Sequence, residues 1–120
     1  LRAGTMRQLT RDDTFVHLLV DEGVITREEA SSHPRRAVVT QALQGEQVSP
    51  AYLNLVPHAG DRWLLCSDGL SNVVRGDTLV EVLTSYPDRE ACARRLVDLA
   101  LRAGGPDNIT VIVADVVDEE

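Results

Sequence analysis

Apolar positions recur along the chain with two different periods, and the changes of period mark out its elements. Ala3-Gly4-Thr5 reads as a turn into a short strand at 6–9. With almost nothing ahead of that turn, it looks like the second arm of a hairpin whose first strand is missing. A helix then starts near Asp12, Asp13 and Thr14, whose side-chain oxygens can accept free backbone N–H groups. Phe15, Leu18 and Leu19 give it a buried stripe at three-and-four spacing, and Gly23 ends it as a left-handed cap. Thr26 and Glu29 form a capping box that opens a second, short helix. It stops before His33-Pro34, because a residue ahead of proline is pushed out of the helical region.

Strands are expected at 38–43 and 52–56, followed by a turn at 57–61 into a strand at 62–67. A helix at 77–84 turns Leu79, Val82 and Leu83 inward. The clearest helix runs over 88–103, with Cys92, Leu96, Leu99, Ala100 and Ala103 as its stripe and Gly104-Gly105-Pro106 as its stop. The segment 109–117 is apolar on both faces apart from Thr110 and Asp115, which predicts a strand covered on both sides within a sheet. Thr26, Asp77 and Asp88 read as helix caps, and Trp63 as core. The order predicts one α/β (α+β) unit of about five strands and three or four helices.

Composition narrows this picture. Apolar residues are 43% of the 120 but aromatics only 3%, so the core is aliphatic. The net charge is −7, and every basic residue is Arg. An acidic chain without a basic stripe argues against nucleic acid or an anionic membrane as partner. No apolar run approaches the roughly 20 residues of a membrane-spanning helix, and no leader pattern marks the chain for export. Cys66 and Cys92 lack metal-site spacing and lie in apolar settings. Both are expected as buried, reduced thiols in a cytoplasmic protein.

The chemistry concentrates at two aspartates. The apolar run Trp63-Leu64-Leu65-Cys66 ends in Ser67-Asp68-Gly69, and a carboxylate at the end of a buried strand stays ionised only if its charge is compensated. A divalent cation does this directly, and Gly69 leaves room for close approach. Asp107 follows the Gly-Gly-Pro turn and precedes the strand at 109–117, so the two could meet at one rim of adjacent strands. Hard carboxylate oxygens there suit Mg²⁺ or Mn²⁺. Each aspartate alone is better explained as an ordinary turn or cap residue, and it is their combination that points to a metal. His17, His33 and His58 form no cluster and read as structural or solvated, as do Arg35 and Arg36.

Four stretches in order resemble the metal-dependent, type 2C serine/threonine phosphatases in their bacterial form. Gln8 to Asp13 is similar to the family's Leu-Thr-x-Asp-His segment, with Asp13 where His is frequent. Val20 to Thr26 and His33 to Arg36 resemble the mobile flap (about 20–37) and its exit, followed by Val39-Thr40-Gln41-Ala42-Leu43-Gln44-Gly45. Gly60 to Leu70 resembles the strand bearing a metal-binding aspartate, and Gly104 to Thr110 the final Asp-Asn motif.

The resemblance implies that 1–120 is the carboxyl-terminal half of a catalytic domain, a partial α-β-β-α sandwich. Asp68 and Asp107 would ligate one ion of a two-metal Mn²⁺ or Mg²⁺ centre, with Gly69 and Asn108 supporting them. The carboxylate that bridges both ions, the phosphate-binding Arg and the remaining catalytic groups would lie upstream. The substrates implied are phosphoserine and phosphothreonine proteins, hydrolysed by a metal-activated water without a protein nucleophile. Asn72 stands where some members carry a further Asp for a third metal. Two carboxylates cannot hold a bridged pair of ions, so the chain alone is expected to have little or no activity. Two other readings stay open: a non-catalytic phosphatase-like interaction module, and a fragment whose fold is completed by its missing half or by another chain.

Overall fold

The computed structural model describes all residues except 13, 36–38, 40–44, 46, 48, 106 and 120. Two compact units are present: Leu1–Arg7 with Leu55–Glu120, and Gln8–Asn54.

The larger unit carries the sheet. Strand β1 (Arg62–Cys66) pairs antiparallel with β2 (Val111–Asp115), Arg62 standing opposite Asp115 and Cys66 opposite Val111. Between them in sequence lie α3 (Asp68–Ser71), α4 (Gly76–Ser85) and α5 (Arg89–Arg102). Leu79, Val82 and Leu83 of α4 meet Cys92, Leu96 and Ala100 of α5, with Leu70 of α3 fully buried in the same aliphatic core. Leu64, Val111 and Val113 line the sheet face that packs on this core. Asp88 caps α5 by accepting the Ala91 N–H at 3.0 Å. The helix ends where Gly104 and Gly105 take φ of +112° and +51°, a region costly for any residue with a Cβ. Helix α4 ends at Tyr86, which the following Pro87 holds in an extended conformation.

Arg62 ties these elements together. Its side chain is nearly buried, and all five of its N–H donors are used. Nε and Nη2 form a fork on the Asp115 carboxylate at 2.6 and 2.9 Å. Nη1 donates to the Leu83 and Tyr86 carbonyls, and Nη2 also to Pro87 O at 2.7 Å. A cation at the end of α4 thus satisfies carbonyls that a helix terminus otherwise leaves open. Asp61 makes a second such fork, accepting from Arg2 Nε and Nη2 at 2.6 and 2.7 Å and from the His58 N–H at 2.9 Å.

These contacts set a pH dependence. The Arg2 guanidinium, then the His58 amide, hold the Asp61 carboxyl below its usual range, and Arg62 does the same for Asp115. Folded values below the unfolded value of about 3.9 mean that the stabilisation is complete above it and is lost as pH falls through the folded values. The thermal midpoint is therefore expected to fall steadily below about pH 4, with a shallower decline in Asp61→Asn. A profile flat down to about pH 2 would contradict the pairing.

In the smaller unit, α1 (Phe15–Asp21) ends as expected: Gly23 at φ +75° donates to Val20 O, and Val24 N donates to Leu19 O. The capping box of α2 (Arg27–Ser31) is formed, Thr26 Oγ1 accepting from Glu29 N at 3.1 Å and Glu29 Oε1 from Thr26 N at 3.2 Å. Leu18, however, stays 45% exposed rather than buried in a stripe. The strand expected at 38–43 lies largely outside the described residues; Val39 makes an isolated bridge with Thr14.

Other expectations are corrected. Two strands, not about five, form among the described residues. The turn at Ala3-Gly4 closes, with Arg2 and Thr5 exchanging both backbone bonds, but residues 6–9 form no strand. Residues 52–56, mostly apolar, form no strand, and Tyr52 is 84% exposed; such a run without a partner strand builds no ladder. Strand β2 is covered on one face only. On the other, Leu65 (53% exposed) stands opposite Ile112 (54%), and Trp63, half-buried, lies beside Ala114 outside the helical core. Cys66 ends up exposed, whereas Cys92 is fully buried, and burial pushes its thiol pKa up. Asp77 lies inside the first turn of α4, where it accepts from Thr78 N, and Arg75 holds the cap position.

Candidate metal centre

Where the β1–β2 ladder ends, the chain turns sharply on both strands. The last backbone bond runs from Ser67 N to Thr110 O at 2.9 Å. Beyond it, Asp68 opens α3, and Asp107 and Asn108 lie on the approach to β2.

Gly69 brings the two approaches together. A Cβ placed on it would stand 2.1 Å from Asn108 O and 2.9 Å from Asn108 C, so only glycine lets the Asn108 peptide rest there. The need is for space, since Gly69 is helical. Ser67 adds a second link: its Oγ donates to Asn108 O and accepts from Thr110 N, each at 3.0 Å. Asp107 Oδ1 accepts the Asn108 N–H at 2.7 Å, which fixes the start of the approach. Asp68 and Asp107 therefore sit one residue outside a direct backbone junction, both exposed at the same rim.

Sequence reasoning held that Asp68 and Asp107 could meet at one rim, with Gly69 and Asn108 as supports; in the structure Gly69 and Ser67 contact Asn108. It did not single out Ser67, whose signal was only a hydroxyl between an apolar run and Asp-Gly. The helix begun by Asp68 was also missed. Asn72 closes that helix, its N–H donating to Asp68 O, one turn along. His33 Nδ1 accepts the Arg35 N–H at the exit of α2, and His58 contributes its backbone to Asp61; both act structurally.

The donor chemistry fits a hard divalent ion held through one or two carboxylates and its own water. Among the described residues, no three His, Cys, Asp or Glu side chains gather into a metal-holding group. Gly69→Ala tests how far the junction sets the rim. It is expected to destabilise the larger unit by about 1–3 kcal/mol through forced displacement of Asn108. An unchanged denaturation midpoint would mean that the two approaches move apart freely.

An α+β scaffold with Asp-Gly at one strand end, Asp-Asn at its neighbour's start and a glycine-sized contact between them defines a class. Over nearly its whole length the chain is similar to metal-dependent, type 2C serine/threonine protein phosphatases, and it matches about half of their catalytic domain. No protein-family model matches it.

Among its relatives, the serine/threonine protein phosphatase PstP of Mycobacterium tuberculosis is 56% identical over 118 residues, covering 98% of this chain and 23% of that protein. Protein phosphatase PhpP of Streptococcus pneumoniae is 35% identical over 121 residues, covering all of this chain and 49% of that protein. The crystal structure of the PstP catalytic domain in complex with two manganese ions superposes with a TM-score of 0.88 at 52% identity, over 98% of this chain and 48% of that one. The chain thus spans half or less of the length of these relatives.

Proposed function

We propose that this chain supplies one side of the two-metal site of a phosphoserine/phosphothreonine protein phosphatase, with Asp68 and Asp107 ligating the same ion. The observation that carries this is the junction of their segments through Gly69, Asn108 and Ser67. The manganese in the related PstP domain supports Mn²⁺ as the ion, and the oxygen donors admit Mg²⁺ equally.

When bound, a metal pair lowers the pKa of a water and neutralises the phosphoryl oxygens during in-line cleavage of the phosphorus–oxygen ester bond. The products are inorganic phosphate and the free serine or threonine hydroxyl. This chain's part is to hold two carboxylates at a fixed separation on a rim anchored to the sheet. Gly69 and Asn108 support them by contact, and the family resemblance supports a flap role for the segment at about 20–37.

The remaining ligands belong to the other half of the domain. The uncovered sheet face of Trp63, Leu65, Ile112 and Ala114 is the surface it packs on. Reduced Cys66 and Cys92 favour a cytoplasmic setting.

The test is hydrolysis of p-nitrophenyl phosphate with Mn²⁺. The chain alone is expected to give no turnover above buffer, and the chain joined behind the amino-terminal half of the PstP catalytic domain is expected to give Mn²⁺-dependent turnover. Robust activity of the chain alone overturns the half-site. A folded, Mn²⁺-binding hybrid without turnover favours a phosphatase-like interaction module instead.

A further inference from the structure

We infer that Ser67 is a positioning residue: its hydroxyl clasps the two metal-bearing approaches together and sets the separation of Asp68 and Asp107. The inference rests on the metal-binding reading above and adds to it a residue that is not itself a ligand.

Ser67 occupies the cap position of α3, at φ −78° and ψ 167°, the conformation in which serine ordinarily turns its oxygen onto the first free N–H groups of its helix. Here it makes no such bond. The hydroxyl reaches across the rim instead, donating to Asn108 O and accepting from Thr110 N. One oxygen thus spans from the residue before Asp68 to the residue after Asp107.

The placement matters because the backbone ladder has already stopped. Ser67 N to Thr110 O is its last rung, and past it the strands diverge into α3 on one side and the 107–109 approach on the other. The clasp adds one bond beyond that rung, to Asn108 O, and a second at the rung itself, from Thr110 N. The Asn108 carbonyl is then held between Ser67 Oγ and the bare Cα of Gly69, which fixes it from two directions. The aliphatic core lies elsewhere, on the Leu64–Val113 face, so the clasp contributes to the geometry of the rim more than to the burial that holds the unit together. A cation gains from two carboxylates only when their separation suits it beforehand, and hydrogen-bonded supports of this kind typically change metal affinity by about 10- to 100-fold when removed.

The experiment compares the chain with its Ser67→Ala, Ser67→Thr and Asp68→Ala variants. Mn²⁺ binding is followed by loss of the free-ion electron paramagnetic resonance signal, and exchange of the Thr110 amide by NMR. Ser67→Ala is expected to weaken Mn²⁺ binding about 10-fold and to speed Thr110 exchange, while the thermal midpoint stays near that of the unaltered chain. Ser67→Thr keeps the hydroxyl and is expected to restore both. If Asp68→Ala lowers Mn²⁺ binding but Ser67→Ala leaves it unchanged, the clasp is overturned and the metal reading stands. If Asp68→Ala changes nothing, the metal reading fails, and the positioning role fails with it. Should Ser67→Ala not fold, weak binding by a folded Ser67→Thr with a protected Thr110 amide equally overturns the role.

Discussion

Arg62→Ala is expected to lower the stability of the chain by about 3 kcal/mol, a large part of what a small domain possesses. Truncation removes all five donors at once and strands the groups they served. The Asp115 carboxylate loses its fork, and the Leu83, Tyr86 and Pro87 carbonyls at the end of α4 lose their cation. Breaking a buried pair by removing one partner costs about 3–5 kcal/mol. The lower end applies here because the Asp115 side chain keeps 25% of its exposure and can recover some water. Arg62→Lys is expected to recover only a part, since an ammonium cannot fork onto Asp115 and reach three carbonyls together. Chemical denaturation measures both. A loss below about 1 kcal/mol for Arg62→Ala would mean that β1, β2 and the end of α4 are joined by the apolar core alone.

Asp68→Ala and Asp107→Ala carry the largest expected functional effect. On the proposed reading, each would remove one of two hard anionic ligands from a site that holds no others within the described residues. The remaining carboxylate then binds a hydrated ion little better than any exposed acidic residue, so affinity is expected to fall by about 100-fold or more. On the proposed two-metal reading, turnover of the completed domain is expected to fall with it, since bound metal would supply the lowered pKa of the attacking water. Neither variant should disturb the core, since both side chains are exposed at the rim. Unlike Arg62→Ala, they separate function from fold.

What the sequence disclosed follows the range of the forces involved. The box of Thr26 and Glu29, the stop at Gly104-Gly105 and the stripe of Cys92, Leu96 and Ala100 depend on neighbours within a few residues, and all are legible. Strand β1 was legible because its apolar run is bounded by a turn and by Asp-Gly. The strands at 6–9 and 52–56 failed because an apolar run becomes a strand only with a partner, and pairing is not written locally. For the same reason Leu65 and Cys66 read as buried although the sheet face and edge they occupy are uncovered. At the site, the type and order of Asp68 and Asp107 identified them. The hydroxyl of Ser67 reaches a carbonyl 41 positions away, a contact that no local pattern encodes. The five-donor role of Arg62 was hidden likewise, since its partners come from β2 and the end of α4.

The central claim is that Asp68 and Asp107 hold one divalent ion between them, and Mn²⁺ titration of the chain beside Asp68→Ala, Asp107→Ala and the double variant tests it most directly. If the two share an ion, each single variant loses nearly all binding, and the double variant loses little more than either alone. Equal binding by all four chains, or two partial losses that simply add in the double variant, would contradict a shared site and leave the two aspartates as ordinary turn residues.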